Sequence, residues 1–343
     1  MRCRHENVSH LERGDWAQGV ETMDLIHDGK TKRVYQDPES DDREIVEFTD
    51  SIVLDDVEKG ESVTGKAELA YKMTEFLLGF LEGKGVDTHF IRSLESPKIL
   101  VRKVDIYPVL VVCRNIATKS FCFRFGVEEG TVLEKPLVEF FLKNDSLHNP
   151  LITEQAMEAI GLMKDEILYF MRAVILSVNY YLAELLRQQN LVLADFRLEF
   201  GITKAGHIVV ADELSLDNMS IWSNGAPYMN LDEIEGKEVE FIQAYGELVN
   251  SITRTKPEEV RNRNEILQVL VKPKDGIRNP PGEVTKKMLV RMGFGDAEDV
   301  RVGKVFNIIL RRPITSEILH QLNIMNIKLL SNPISEKHEV IYG

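Results

Sequence analysis

Five carboxylates crowd one stretch of this 343-residue chain, "LADFRLEFGITKAGHIVVADELSLDNMSIWS", residues 193–223. They are Asp195, Glu199, Asp212, Glu213 and Asp217. Glu199 and Asp212 end apolar runs that read as two neighbouring strands joined by a turn from Lys204 to Gly206. An ionised carboxylate at the end of a buried strand is costly unless it is paired or holds a cation. Two hard oxygen ligands, with phosphate and water supplying the others, suit Mg²⁺ bridging nucleotide phosphates. Pairing with Arg197 or Lys204 across the hairpin would equally satisfy the two side chains, and this stretch alone leaves both readings open.

A second motif bears on the choice. In "HDGKTKRVY" a strand meets a tight turn at Gly29, and Lys30 and Lys32 follow on the returning strand. Glycine lets the backbone approach a polyphosphate closely, and two ammonium groups would sit beside it. It is not a Walker loop, since no GxxxxGK[ST] is present and a strand follows the turn. The competing reading is a hairpin with solvated lysines. A third cluster, "YPVLVVCRNIATKSFCFRFG", sets Arg114 after a strand and Ser120 after a short polar turn, a guanidinium and a hydroxyl suited to an anionic group. "FFLKNDSLHNP" follows an apolar strand with Lys143, Asp145 and His148 in a turn-forming loop. A lone histidine there reads as an ordinary hydrogen-bonded loop residue.

The elements that must carry these residues are legible in outline. "ETMDLIHDGK", "TKRVYQD" and "REIVEFTD" read as a meander after a frayed extension over residues 1–21. Residues 66–81 have helical spacing, and "THFIRSL", "KILVRKVDI" and "VLVVCRNI" read as strands. Residues 164–190 form a long helix whose apolar side chains lie on more than one face, as in a helix packed on both sides. Another amphipathic helix covers about 232–252, and the charged, aperiodic 251–264 reads as a linker. Residues 265–343 then run strand, helix (282–292), one strand or two joined at Gly303 in "DVRVGKVFNIIL", helix, strand. They form a small α+β unit, marginal alone by size and a candidate for oligomerisation.

The formal charge of −13 argues against non-specific binding to nucleic acid or anionic membrane. Its distribution is uneven: residues 265–343 carry +3 and the rest −16. Cys3, Cys113 and Cys122 lack metal-ligand spacing, and Cys113 and Cys122, flanked by apolar residues, read as core. No apolar run approaches the roughly 20 residues that span a bilayer. The expectation is a cytoplasmic protein.

Taken in order, "GKTKRVY", "PVLVVCRNIATKS", "VEEG" with "FFLKNDSLHNP", and "LADFRLEFG" with "VVADELSLD" resemble the SAICAR synthetases over about residues 22–250. The resemblance implies a two-lobed, ATP-grasp-like α+β fold and an ATP- and Mg²⁺-dependent ligase. Such a ligase phosphorylates a substrate carboxylate and then lets the amine of aspartate displace phosphate. It implies that Gly29, Lys30, Thr31 and Lys32 hold ATP phosphates with Lys103 nearby, and that Glu199 and Asp212 ligate the metal that binds the nucleotide. Arg114, Ser120 and Asp217 would hold the ribonucleotide, and no covalent nucleophile is expected. Departures fall on the substrate side. Arg197 replaces the usual Lys, and Lys119 and Leu110 replace a Gly and a Glu. Ala70-Tyr71 replaces an Asn pair, and Ile221 stands where an Arg is expected.

The tail, with "DGIRNPPG", "VRVGK" and "LLSNP", resembles PurS, the small subunit of formylglycinamidine ribonucleotide synthetase, over about 265–343. That implies an oligomerisation module without catalytic residues, and synthetase and glutaminase subunits as partners. Three functions are open to the whole chain: the ligase of the usual family reaction, a ligase of the same chemistry on another carboxylate or amine, and a non-catalytic assembly protein.

Overall fold

The computed structural model describes residues 24–52, 62–229, 234 and 236–342; the expected N-terminal extension lies outside these residues. Near the start, three short alternating runs pair in sequence order. β1 (Leu25–Asp28), β2 (Lys32–Gln36) and β3 (Arg43–Phe48) form the expected meander, and β5 (Lys98–Arg102) and β4 (Phe90–Ser93) extend it to a five-stranded sheet. Helix α1 (Lys66–Gly83) closes one face of that sheet through Ala67, Ala70 and Tyr71, which pack with Val46, Phe48 and Val101. Ala70 and Tyr71 are therefore core residues of the small lobe. The other face of α1 carries Met73, Leu77, Leu78 and Leu81 into the main core. This single helix, apolar on two faces, joins the lobes.

The second sheet has eight strands and is built on β10 (Val192–Thr203). Along β10, Phe196, Leu198 and Phe200 point into the core, so Asp195, Arg197 and Glu199 share the opposite face. Its neighbours are β7 (Val109–Ile116), β12 (Met219–Ser223), β6 (Val104–Ile106) and β11 (Ile208–Ala211), all antiparallel. β7 continues to β8 (Val132–Leu142) and the short β9 (Leu151–Ile152), while β13 (Ala226–Pro227) edges β12. Two short helices were not evident in the sequence, α2 (Lys119–Phe125) and α3 (Glu154–Ala159).

Helix α4 (Asp165–Arg187) is the expected two-sided helix. One side packs on β7, β8 and β10, and the other meets the C-terminal unit. There β14 (Glu265–Pro273) is central to a three-stranded sheet, between β15 (Lys304–Leu310) and β16 (Glu336–Tyr342). Odd-numbered Leu267, Val269 and Val271 of β14 are buried, and Leu267 belongs to the same core as α4. Glu265 accepts a hydrogen bond from Ser177 of α4 at 2.7 Å. Helix α7 (Ser316–Met325) adds Ile318 and Leu322 to that core. Its first residue, Ser316, exchanges hydrogen bonds with the backbone of Ile208 in β11. Helix α6 (Pro280–Arg291) is mostly exposed.

Two sequence readings are refined here. "DVRVGKVFNIIL" gives one strand, β15, because the side chain of Asn279 takes the backbone N–H and C=O of Val302 and denies them to a ladder. Segment 251–264 is no loose linker: α5 (Glu238–Thr253) extends into it, and buried Val260 accepts a hydrogen bond from Lys84 of α1. Among the described residues, no helix is long and apolar enough to cross a membrane.

Candidate active site

The turn between β1 and β2 is tight at Gly29, whose N–H donates to Lys32 O at 2.9 Å; a Cβ on Gly29 would lie 2.9 Å from the same oxygen. It delivers Lys32 to the end of the β10–β11 hairpin. There Glu199 pairs in register with Ala211, so Glu199 and Asp212 emerge side by side. Lys32 Nζ is bonded to the carboxylate of Asp212 and lies 3.0 Å from Glu213 Oε1. Burial works against its charge, but Asp212 and Glu213 outweigh it and hold the ammonium above the ordinary lysine range.

The alternative pairing of Glu199 and Asp212 with Arg197 or Lys204 across the hairpin does not form. Glu199 is bonded to Lys143 at 2.6 Å, from the loop after β8. Lys204 pairs instead with Asp42, and Arg197 donates to the Asp217 carbonyl. Burial, then the charge of Asp212, pushes the Glu199 carboxyl up. Asp212 is desolvated too, but Lys32 prevails and holds it below the usual carboxylate range. Asp212 has φ 72°, a left-handed conformation rare for a side-chain-bearing residue. Its carbonyl faces His89 Nε2 at 3.1 Å. Burial pushes that imidazole down to about 4, so it is neutral and donates through Nε2–H.

Gly201, two residues beyond Glu199, is required by close approach, since a Cβ there would meet Val104 Cγ2 of β6 at 2.5 Å. Lys30 lies 3.8 Å from Asp145, so the loop after β8 reaches the glycine turn through Asp145 and Glu199 of β10 through Lys143. His148 is exposed in that loop. Lys103 is not part of this cluster. It faces Glu44 at 3.5 Å and Gln36 at 3.4 Å, by the far end of β2.

Beside the carboxylates opens a cleft of about 720 Å³, lined among others by Arg114, Ser120, Asp195, Arg197 and Asp217. Its floor follows from strand register: Arg114 on β7, Asp195 on β10 and Ser220 on β12 stand in one lateral row. Arg114 is buried and heavily engaged, by Glu139 at 2.7 Å, Asp195 at 3.2 Å, Thr118 at 3.1 Å and Ser120 at 3.4 Å. Ser120, expected after a short polar turn, sits in the first turn of α2. Burial pushes Asp195 up, against Thr118 and Arg114. Trp222, Ile221 and Met219 give the cleft an apolar wall. Lys119, in left-handed conformation at φ 24°, lies at its rim. Cys113 is core, its thiol pushed up to about 12 by burial; Cys122 is half-buried.

The structure thus brings together Lys32, Glu199, Asp212 and the Arg114 row, and adds Glu139, Thr118, Lys143 and His89. Glu139 had a signal, an acid inside the apolar run "LVEFFL", where a buried charge demands a partner. His89 had none beyond its place between strands. Among the described residues no three His, Cys, Asp or Glu side chains converge as a closed metal site. A pair of adjacent carboxylates fits Mg²⁺ that takes its other oxygens from phosphate and water.

Comparison with known proteins now finds relatives. Residues 25–238 match the SAICAR synthetase family, and residues 266–342 match PurS, described as phosphoribosylformylglycinamidine (FGAM) synthase. The phosphoribosylaminoimidazole-succinocarboxamide synthase of Persephonella marina is 37% identical over 240 residues, 70% of this chain and 100% of that protein. That of Bacillus cereus is 39% identical over 203 residues, 59% of this chain and 84% of its own. Among solved structures, the Ehrlichia chaffeensis synthase superposes with TM-score 0.63 at 29% identity, covering 67% of this chain and 98% of that one. A SAICAR synthetase solved in complex with ADP gives 0.62 at 33% identity, covering 67% and 97%. The chain belongs to the SAICAR synthetase family and carries a PurS domain at its C-terminal end.

Proposed function

We propose that this protein is an ATP- and Mg²⁺-dependent carbon–nitrogen ligase that joins carboxyaminoimidazole ribotide to aspartate, yielding the succinocarboxamide ribotide, ADP and phosphate. The observation that carries this reading is the convergence of Lys32 on Asp212 and Glu213 directly beside the Arg114–Asp195 cleft. It is supported by family membership and by the ADP held by a related structure.

In this reading the γ-phosphoryl group passes from ATP to an oxygen of the acceptor carboxylate. The aspartate amine then attacks the acyl carbon, phosphate leaves with that oxygen, and the amine loses a proton. Gly29, Lys30, Thr31 and Lys32 bind the phosphates, while Lys103, at the far end of β2, would act only on a more distant part of the nucleotide. Glu199 and Asp212 would hold Mg²⁺, which supplies charge neutralisation to the phosphates when bound. Until then Lys143 lies against Glu199 and Lys32 against Asp212, each offsetting part of the charge. Arg114, Ser120 and Asp217 orient the ribotide. The chain's work is placement and charge, with no covalent nucleophile. The reading carries with it a cytoplasmic setting, association of the PurS unit with FGAM synthetase and glutaminase subunits, and self-association through that unit.

Omitting ATP, Mg²⁺, ribotide or aspartate in turn tests this. ADP release needing all four, and abolished in Glu199→Gln, supports it; release indifferent to ribotide or aspartate overturns it. One observation favours a second reading, the same chemistry on a different acceptor. The Arg114 guanidinium is already occupied by Glu139 and Asp195, and Ile221 makes an apolar wall where a cation was expected. Turnover of the named ribotide at the rate of a family synthase would exclude this second reading.

A further inference from the structure

A row of hydrogen bonds joins the glycine turn to the cleft. Glu213 is buried, and one of its oxygens faces Thr31 Oγ1 at 3.1 Å and Lys32 Nζ at 3.0 Å. Its other oxygen lies 3.0 Å from Ser215 Oγ. The same hydroxyl lies 3.3 Å from Asp217 Oδ2 and accepts from the Asp217 N–H at 3.2 Å. Asp217 lines the cleft and is ion-paired with Lys66, whose Nζ also donates to the Ser51 carbonyl at 3.0 Å. Ser215 is fully buried and Lys66 is 2% exposed, so solvent does not substitute for these contacts.

A serine hydroxyl has one proton to give. Ser215 stands within reach of two carboxylates and is a full donor to only one of them at a time. Phosphate arriving on the glycine turn competes for Lys32 and Thr31, both donors to Glu213. A buried carboxylate that loses part of its compensation draws harder on its remaining donor. The Ser215 proton then goes to Glu213, and Asp217 Oδ2, which keeps its ion pair with Lys66, gains a lone pair free to accept from an N–H or O–H group of the acceptor. Lys66 keeps Asp217 in place throughout.

We propose that Ser215 is a positioning residue coupling the two halves of the site, so that nucleotide on the Gly29–Lys32 turn raises the affinity of the cleft for its acceptor. This rests on the reading that the turn takes nucleotide phosphates. Because linkage is reciprocal, acceptor tightens nucleotide by the same factor.

The test is calorimetric titration of the full-length protein with carboxyaminoimidazole ribotide, with and without saturating MgADP. Wild-type protein is expected to bind the ribotide roughly fivefold or more tightly with MgADP present. In Ser215→Ala that ratio falls to about one, and in Ser215→Thr, which keeps the hydroxyl, it is retained. A merely structural role would weaken both affinities and leave their ratio intact. A wild-type ratio in Ser215→Ala, or no coupling in the wild type, overturns the proposal. Should Ser215→Ala not fold, Ser215→Cys, a weak donor of similar size, must lower the ratio, and an unchanged ratio overturns the proposal equally. A wild-type protein that takes no MgADP would overturn the functional reading first and this inference with it, whereas independent binding of both ligands would overturn the inference alone.

Discussion

Lys32 and Asp212, 180 residues apart in the chain, share a direct ion pair at the point where the small lobe meets the β10–β11 hairpin. The contact has a stated physical role. It holds the Asp212 carboxylate, just past the end of β11, below the usual range in a desolvated place before any metal or nucleotide arrives.

Removing that cation exposes the role. Lys32→Met leaves Asp212 and Glu213 buried without their shared ammonium, and a broken buried pair costs roughly 3–5 kcal/mol. The melting temperature should fall accordingly. Mg²⁺ should raise it more in Lys32→Met than in wild type, because the metal there replaces a missing charge. Differential scanning calorimetry with and without MgCl₂ measures both. Equal metal shifts in the two proteins would mean that Asp212 does not meet the ion.

His89 gives the protein a defined acid limb. Burial pushes its imidazole down to about 4 from an ordinary 6.5. The folded state therefore binds fewer protons than the unfolded chain between these values. Stability is fully present above about 6.5 and is lost as pH falls toward 4, at up to about 1.4 kcal/mol per pH unit. His89→Gln keeps a donor toward the Asp212 carbonyl and removes the titration. Urea denaturation at a series of pH values should show the wild type losing more stability than His89→Gln across this window. Parallel curves would contradict the assignment.

The C-terminal unit should not melt alone. Leu267 is fully buried in the core that contains α4, and Leu→Ala at such a site costs roughly 2–5 kcal/mol. Leu267→Ala should shift one common unfolding transition, whether followed by Trp222 fluorescence in the ligase unit or by total ellipticity. Two separated transitions, with the tryptophan signal unmoved, would show that the PurS domain hangs independently.

What the sequence disclosed, and what it withheld, divides along physical lines. Apolar periodicity exposed α1, the two-sided α4 and most of the longer strands, because burial demands those patterns. The short β9, β12 and β13 carried too few residues to show one. The turn chemistry at Gly29 and the strand end before Asp212 were equally visible. Glu199, read as a strand end, instead lies inside β10, which continues to Thr203 to pair with β11. Short α2 escaped because seven residues carry no helical repeat. The partners of each charge escaped as well. Lys143 for Glu199, and Glu139 for Arg114, depend on which loops and strands come to lie side by side. The sequence placed Lys103 near the phosphates by resemblance, but the fold sets it beside Glu44.

The most direct measurement follows the oxygen. Ribotide carrying ¹⁸O in its carboxylate is incubated with Mg-ATP, aspartate and enzyme, and the inorganic phosphate is analysed by mass spectrometry. Activation by phosphoryl transfer delivers one labelled oxygen to each phosphate formed. Unlabelled phosphate accompanying amide formation would contradict the chemistry assigned to this site.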